Sequence, residues 1–143
     1  MTYILQANPS ELIQKTAEEL KKQNLIKPPQ WSIFVKTATS KQRLPDDNEW
    51  WYIRAAAILR SVAKLGPVGT QKLRTRYGSN KRRGHQPSEF RRASGSVIRK
   101  VLQQLETAGL VNTTEKSGHK GRVLTAKGTS FLDKIAIDIS KKQ

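Results

Sequence analysis

The stretch SGSVIRKVLQQLETAGLVNTTEKSGHKGRVLTAKG, residues 94–128, decides the fold. Its first half starts with serines suited to a helix N-cap, at positions 94 and 96, and ends at Gly109, a residue typical of helix C-termini. Between them the apolar residues recur every three or four positions, which predicts an amphipathic helix. The inward-facing stripe comprises Ile98, Val101, Leu102 and Leu105.

The second half of this stretch predicts a β-hairpin and another helix. Residues 110–114 and 122–124 have strand character and flank a glycine-containing turn, KSGHKG. Thr125 then suits the N-cap of a last helix. Its inward stripe comprises Phe131 or Leu132, Ile135 and Ile139. A helix, a hairpin and a closing helix in this order are typical of a winged-helix domain.

Three more helices are predicted before residue 94. The first starts at NPSE, residues 8–11, and ends before the pair Pro28-Pro29, the second runs from Asp46 or Asp47 to Gly66, and a short third occupies residues 69–78. Their inward-facing side chains are Ile13, Ala17 and Leu20, then Trp51, Ala55, Ile58, Val62 and Leu65, then Leu73 and Tyr77. Of the three tryptophans we expect most to be buried and Trp50 to be the most exposed.

Two segments show no helical period. Residues 30–45 are expected to be an extended, packed connection, and residues 78–95 a loop that is mobile until it binds a partner. The predicted fold class is therefore mostly α. It is a winged-helix-like domain, residues 1–143, with an extra N-terminal helix and a C-terminal β-hairpin followed by a helix.

The positive charge of the chain is concentrated in its middle third. Residues 54–100 contain thirteen Lys and Arg against a single acid, Glu89, and so carry +12 of the total +16. Residues 1–53 hold seven bases and six acids, and residues 101–143 seven bases and four acids. Such a field opposes the compact state by self-repulsion but attracts a polyanion, so we expect a nucleic-acid-binding face. A solvated polar face would explain any one of these cations, but not the whole run.

The candidate contacts fall on several elements. Small residues at Ala57 and Ser61 lie on the side of the second helix that carries Arg54 and Lys64, and are expected to let a backbone come close. The basic hairpin tip also contains Lys116 and His119. The candidate nucleic-acid-binding residues are Arg54, Arg60, Lys64, Lys72, Arg74, Arg76, Lys81, Arg82, Arg83, Arg91, Arg92, Arg99, Lys100, Lys120 and Arg122.

Catalysis is not expected. The chain has no Cys, which excludes thiolate metal sites. Its two histidines, His85 and His119, lie in basic segments without acidic neighbours, so we expect them to contact solvent or phosphate rather than a metal. GSNKRRG, residues 78–84, lacks the ending of a phosphate-binding loop. We therefore expect no enzyme activity, cofactor, metal or small-molecule substrate. With no apolar run of about 20 residues and no secretory leader, we also expect a cytoplasmic protein without membrane contact.

Four motifs carry a family resemblance across nearly the whole chain. PSEFRRASGSVIRKVLQQLE, residues 87–106, closely resembles the signature of the nineteen-e family of the archaeal and eukaryotic small ribosomal subunit. DDNEWWYIRAAAILR, WSIFVKTATSKQRLP and GRVLTAKG match that family in place, apart from Ala57, where Ser is often found. The short N-terminal region and compact hairpin turn suit its archaeal branch.

The resemblance implies a structural component of the small-subunit head that binds rRNA and aids assembly. Its basic central-helix positions fall on Arg54 and Arg60, and its signature cation on Arg99. The partners it implies are small-subunit rRNA and neighbouring ribosomal proteins, with no homo-oligomer required.

Two other classes of function stay open from the residues alone. A winged-helix transcription regulator would place residues 96–107 in a DNA major groove, with Arg99, Lys100, Gln103 and Glu106 outward. Against it, the heaviest charge lies in the preceding segment and on another helix. An RNA-modifying enzyme would need a catalytic group that the sequence does not offer.

Overall fold

The computed structural model describes residues 2–116 and 118–141. In chain order the elements are α1 (Thr2–Gln6), α2 (Pro9–Lys22), a 3-10 helix (Gln30–Phe34), α3 (Trp50–Leu65), α4 (Thr70–Arg76), β1 (Ser79–Arg83), β2 (Gln86–Arg91), α5 (Gly95–Thr107), β3 (Val111–Lys116), β4 (His119–Leu124) and α6 (Ala126–Ser140). The mostly helical architecture, with a hairpin leading into the last helix, confirms the predicted winged-helix-like class.

The core lies around α3, which packs against α2 and α5, while α6 closes over α2 and α1. The predicted stripes of α3 and α5 are buried, except that Leu65 is half-buried. At the centre, the indole Nε1 of Trp51 donates to Gln104 Oε1 at 3.0 Å. The Trp50 and Trp31 rings meet Trp51 edge-on at 5.3 and 5.6 Å. Trp31, rather than the half-buried Trp50, is the most exposed tryptophan, at 37%.

The helix starts follow local hydrogen bonds. Asn8 Oδ1 accepts from Ser10 N at 3.1 Å, and Thr125 Oγ1 accepts from Gly128 N at 3.1 Å, as expected of N-caps. The predicted start of α3 was wrong by three or four residues. Asp47 accepts two backbone N–H groups within a turn, from Glu49 and Trp50, and delays the helix to Trp50.

The hairpin β3–β4, called the wing below, is antiparallel and pairs Val111 with Leu124 through to Lys116 with His119. It is longer than predicted, because the strands continue into the segment read as a turn. Val68 exchanges two backbone hydrogen bonds with Arg122, at 3.1 and 3.0 Å, and so ties the wing to the α3–α4 connection. A Cβ at Gly121 would lie 2.6 Å from Val68 N, so only glycine permits this approach.

The prediction of a loop was wrong for residues 79–92, called the arm below. They contain the antiparallel pair β1–β2, in which Asn80 faces Phe90 and Lys81 faces Glu89, rather than an irregular loop. The prediction failed because it relied on apolar alternation, which marks strands with one buried face. Within the arm every residue except the half-buried Ser79 and Glu89 is exposed, so no buried face imposes that pattern.

Candidate nucleic-acid interface

The base of the arm is fixed by backbone hydrogen bonds to two other elements. Ala93 N donates to Arg74 O at 2.9 Å, and the Arg74 Nε donates back to Ala93 O at 3.0 Å. Ser94 N donates to Thr37 O at 2.9 Å, and the Ser40 and Ser79 hydroxyls lie 2.7 Å apart. These contacts fix the base of the arm, and Arg74 contributes to them. The rest of the arm projects from the molecule.

A cleft of about 760 Å³ separates the arm from residues 35–39. Its one carboxylate is Glu89, which pairs with Arg91 at 2.8 Å and with Arg83 at 3.4 Å. Because these partners already neutralise Glu89, the cleft keeps a positive potential. The cations that line it are Lys36, Arg74, Lys81, Arg91 and Arg92.

Two smaller clefts are also lined by cations. One, of about 270 Å³, is lined by Lys41, Arg43 and Arg54, and the other, of about 400 Å³, by Lys72 and Lys120. Lys36, Lys41 and Arg43 were missed as candidates by the sequence analysis, which followed charge density along the chain. The signal was present, since residues 31–45 contain three cations and no acid.

Arg54 has a structural contact as well as a surface position. Its guanidinium lies 4.6 Å from the ring centroid of Tyr77, and the Tyr77 hydroxyl lies 2.9 Å from Ser61 Oγ. Burial lowers the pKa of Arg54 from its ordinary value, and Tyr77 acts in the opposite direction. Ser61 is only 4% exposed, so the expectation that it leaves an open approach to α3 was wrong.

Arg60 differs from the other α3 cations. Its Nε is buried and has no hydrogen-bond partner among the described residues. An unpaired buried donor is unfavourable unless an acceptor reaches it, so Arg60 stays a candidate for phosphate contact. Lys64, on the last turn of α3, is exposed.

The wing uses part of its charge internally. Glu106, near the end of α5, accepts from Thr113 Oγ1 at 2.7 Å and lies 3.4 Å from Arg122 Nε. The hydrogen bond from Thr113 lowers the pKa of Glu106, assisted by the charge of Arg122 and opposed by partial burial. Lys120 makes a looser, exposed pair with Glu115 at 3.4 Å. Lys116 and His119 were also expected to make the hairpin tip basic, but their side chains are not among those that the structure describes.

Several candidate cations are exposed and have no ion pair or hydrogen bond to any other described residue. Those on α5 confirm its predicted outward face, and those on the arm lie on both of its strands or at its base. They are Lys64, Lys72, Arg76, Lys81, Arg82, Arg92, Arg99 and Lys100. Such cations are available to a polyanion without first breaking an internal pair.

The groove between α2 and α6 provides the contrast. It is lined by Lys15, Lys22 and Lys134, but also by Glu18, Glu19 and Asp138. Equal numbers of bases and acids give this groove no net charge, whereas the arm cleft has five cations around one neutralised acid. The net positive charge is therefore unevenly distributed between these two grooves.

The site shows no arrangement for metal chemistry within residues 2–116 and 118–141, where no three His, Asp or Glu side chains gather closely enough to hold an ion. His85, near the tip of the arm, is exposed.

In the same described ranges, no helix combines the length and the apolar content that crossing a bilayer requires.

The comparisons with known proteins agree with one another. Residues 3–142 match the model of the family described as ribosomal protein S19e. The small ribosomal subunit protein eS19 of Aeropyrum pernix is 47% identical over 92% of this chain and 85% of its own length. The eS19G protein of Ascaris suum is 42% identical over 94% and 90%, and the eS19 protein of Haloarcula marismortui 38% over 97% and 92%. The chain therefore belongs to the ribosomal protein S19e family.

Proposed function

We propose that the protein is a structural component of the small ribosomal subunit, that it binds rRNA in the subunit head, and that it aids assembly there. Family membership supports the ribosomal role, since its relatives are small-subunit proteins by name. Its partners would be small-subunit rRNA and neighbouring ribosomal proteins, in the cytoplasm, and it would act without catalysis.

The observation that carries the RNA-binding proposal is the uneven distribution of unpaired cations. They line three clefts and extend onto the arm, while the α2–α6 groove balances its charges. A duplex of RNA offers mainly phosphates and 2′-hydroxyls rather than readable base edges. A broad surface formed by several elements suits such a ligand, because it neutralises phosphates at many points where RNA helices converge.

The arrangement is less suited to reading a DNA major groove. Arg99, Lys100 and Gln103 are exposed on α5, as a recognition helix would require. However, the wing turns Arg122 toward Glu106 on the same helix. Of the eight candidate cations without a partner among the described residues, α5 carries only Arg99 and Lys100, whereas the arm carries Lys81, Arg82 and Arg92. We therefore favour rRNA as the ligand.

Sedimentation of the tagged protein in a cell extract tests the proposal. We expect it to travel with the small subunit, and crosslinks from the arm to map to rRNA. A variant with Lys81→Gln, Arg82→Gln and Arg92→Gln should shift toward the top of the gradient. The matched control, with Lys15→Gln, Lys22→Gln and Lys134→Gln in the α2–α6 groove, should stay with the subunit. Wild-type protein found as a free dimer bound to DNA would contradict the proposal.

A further inference from the structure

The arm has two different faces. Paired residues on neighbouring antiparallel strands share a face, and successive residues alternate between faces. Ser79, Lys81, Glu89 and Arg91 therefore share one face, which contains the Glu89–Arg91 ion pair and meets Ser40 through Ser79. The other face carries the pair of Asn80 and Phe90 and no acidic residue, and Phe90 also lines the arm cleft.

Phe90 is a large apolar side chain in an unusual position. It is 48% exposed. It is also the one large apolar side chain of the arm, in which every other residue is polar, a glycine or a proline. Its ring is nonetheless held in place, because its edge rests on Gly78. A Cβ at position 78 would lie 2.5 Å from Phe90 Cζ and 2.7 Å from the Arg91 carbonyl oxygen, so glycine is needed to seat the ring. Half of the side chain is thereby presented to solvent in a fixed orientation.

The surroundings of this ring suit a nucleobase. Stacking of bases on aromatic side chains is the common way in which proteins bind unpaired nucleotides, and cations nearby bind the adjoining phosphates. Arg92 lies two positions beyond Phe90 along the same extended segment, and Arg82 is exposed on the facing strand. Both are free of internal partners among the described residues, and the Asn80 amide faces Phe90 across the strands.

We propose that Phe90 is a stacking platform for an unpaired base of the bound RNA, with Arg82 and Arg92 contacting the phosphates on either side. This inference rests on the proposed function and adds the class of nucleotide bound. A base within a continuous duplex is already stacked on its neighbours and cannot reach the ring, so the ligand is a single-stranded or bulged nucleotide.

A purely structural role for the ring makes a different prediction. An aromatic side chain that covers a glycine on the facing strand can stabilise a hairpin. Leucine would cover Gly78 in the same way, but it has no π-face on which a base could stack. Phe90→Leu therefore separates the two roles, and Phe90→Trp keeps both.

The test measures the affinity of the full-length protein for a single-stranded RNA of about 12 nucleotides, within the length that compact single-strand sites cover, and for its duplex. We expect Phe90→Ala and Phe90→Leu to weaken single-strand binding by roughly 5- to 100-fold, the range for one stacked base, and to leave duplex binding nearly unchanged. Phe90→Trp should retain the affinity, and its additional fluorescence should be quenched by the single strand. The control Phe34→Ala removes a more exposed phenylalanine, at 77%, that does not line the arm cleft, and should change neither affinity.

Each other result is informative. If Phe90→Leu binds the single strand with wild-type affinity, the ring is not a stacking platform. An equal loss of affinity for both RNAs would also overturn the proposal, because the ring would then only stabilise the structure of the arm. If wild-type protein binds neither RNA in a salt-dependent way, the RNA-binding function itself fails. If wild-type protein binds both RNAs in a salt-dependent way and only the Phe90 effect is absent, the stacking inference fails and the RNA-binding function stands.

Discussion

The arm and the wing are two hairpins of nearly equal strand length, five and six residues against six and six, yet they are held in different ways. The wing exchanges backbone hydrogen bonds with Val68, and Thr113 and Arg122 both contact Glu106 on α5. The arm is fixed at its base, and beyond Ser79 every residue of the arm except the half-buried Glu89 is exposed. The wing belongs to the fold, whereas the arm extends from it.

The difference explains where the free charge lies. Packing the wing against α5 places Arg122 beside a carboxylate, so that cation stabilises the molecule itself. The arm has one carboxylate for five cations, and Lys81, Arg82 and Arg92 are left without partners among the described residues. A cation without an internal partner gives its full attraction to a phosphate. We infer that the wing positions α5 and the arm binds RNA.

Amide exchange of the free protein should show the largest difference between the hairpins. Because only the wing is packed against the core, arm strand amides should exchange at least about 100-fold faster than wing strand amides, through local opening. Bound RNA should slow the arm amides, since it orders them and removes the repulsion between cations. Equal protection of the two hairpins in the free protein would show that the arm is already rigid.

A substitution beneath the wing should lower the stability of the protein far more than a substitution in the arm. Leu105 is fully buried on α5, from which the wing continues, so Leu105→Ala should lower the free energy of unfolding by roughly 2–5 kcal/mol. Phe90→Ala in the arm should cost about 1 kcal/mol or less, the range of a cross-strand pair. Chemical denaturation monitored by circular dichroism measures both. A wild-type value for Leu105→Ala would mean that the faces of α5 are wrongly assigned.

The internal pair of the wing should give a small, pH-dependent effect. The pKa of Glu106 is lowered in the folded state, so its contribution is present above the ordinary value of 4.5 and is lost as the pH falls through the folded pKa. Glu106→Gln should therefore reduce stability at pH 7, by about 1 kcal/mol or less, and the difference from wild type should shrink below about pH 4.5.

Glu115→Gln is the matched control for that comparison. Glu115 lies on the same hairpin, and its pair with Lys120 is more exposed, so the substitution should leave the stability at pH 7 nearly unchanged. A gap between wild type and Glu106→Gln that widens in acid would contradict the assigned direction of the Glu106 pKa.

Much of the fold could be predicted from the sequence, because α3, α5 and α6 each bury one stripe. On α5, Ile98 and Leu105 are buried, whereas Arg99 and Lys100 are exposed. This is the arrangement that apolar residues at helical spacing predict. The arm could not be found in this way, since strands with two solvated faces have no apolar alternation. Helix α1 was missed as well, because five residues are too few to establish a period.

The candidate site was predictable only in part. Charge density located the arm and α4, but the roles of individual cations depend on contacts between distant residues. Arg74 meets Ala93, nineteen positions away, and Arg122 meets Glu106, sixteen away. Neither partner is marked by local sequence, so the cations that hold the structure could not be told from the free ones. All fifteen remain candidates for RNA contact, and the free ones are the strongest.

The salt dependence of RNA affinity tests the central claim most directly. Each phosphate contact contributes about −0.7 to −0.9 to the slope of log affinity against log salt concentration. Replacing Lys81, Arg82 and Arg92 by Gln should therefore make the slope shallower by roughly 2 to 3, while the α2–α6 groove control, with Lys15, Lys22 and Lys134 replaced by Gln, keeps the wild-type slope. Equal slopes for the two triple variants, or a wild-type affinity that does not depend on salt, would contradict the account.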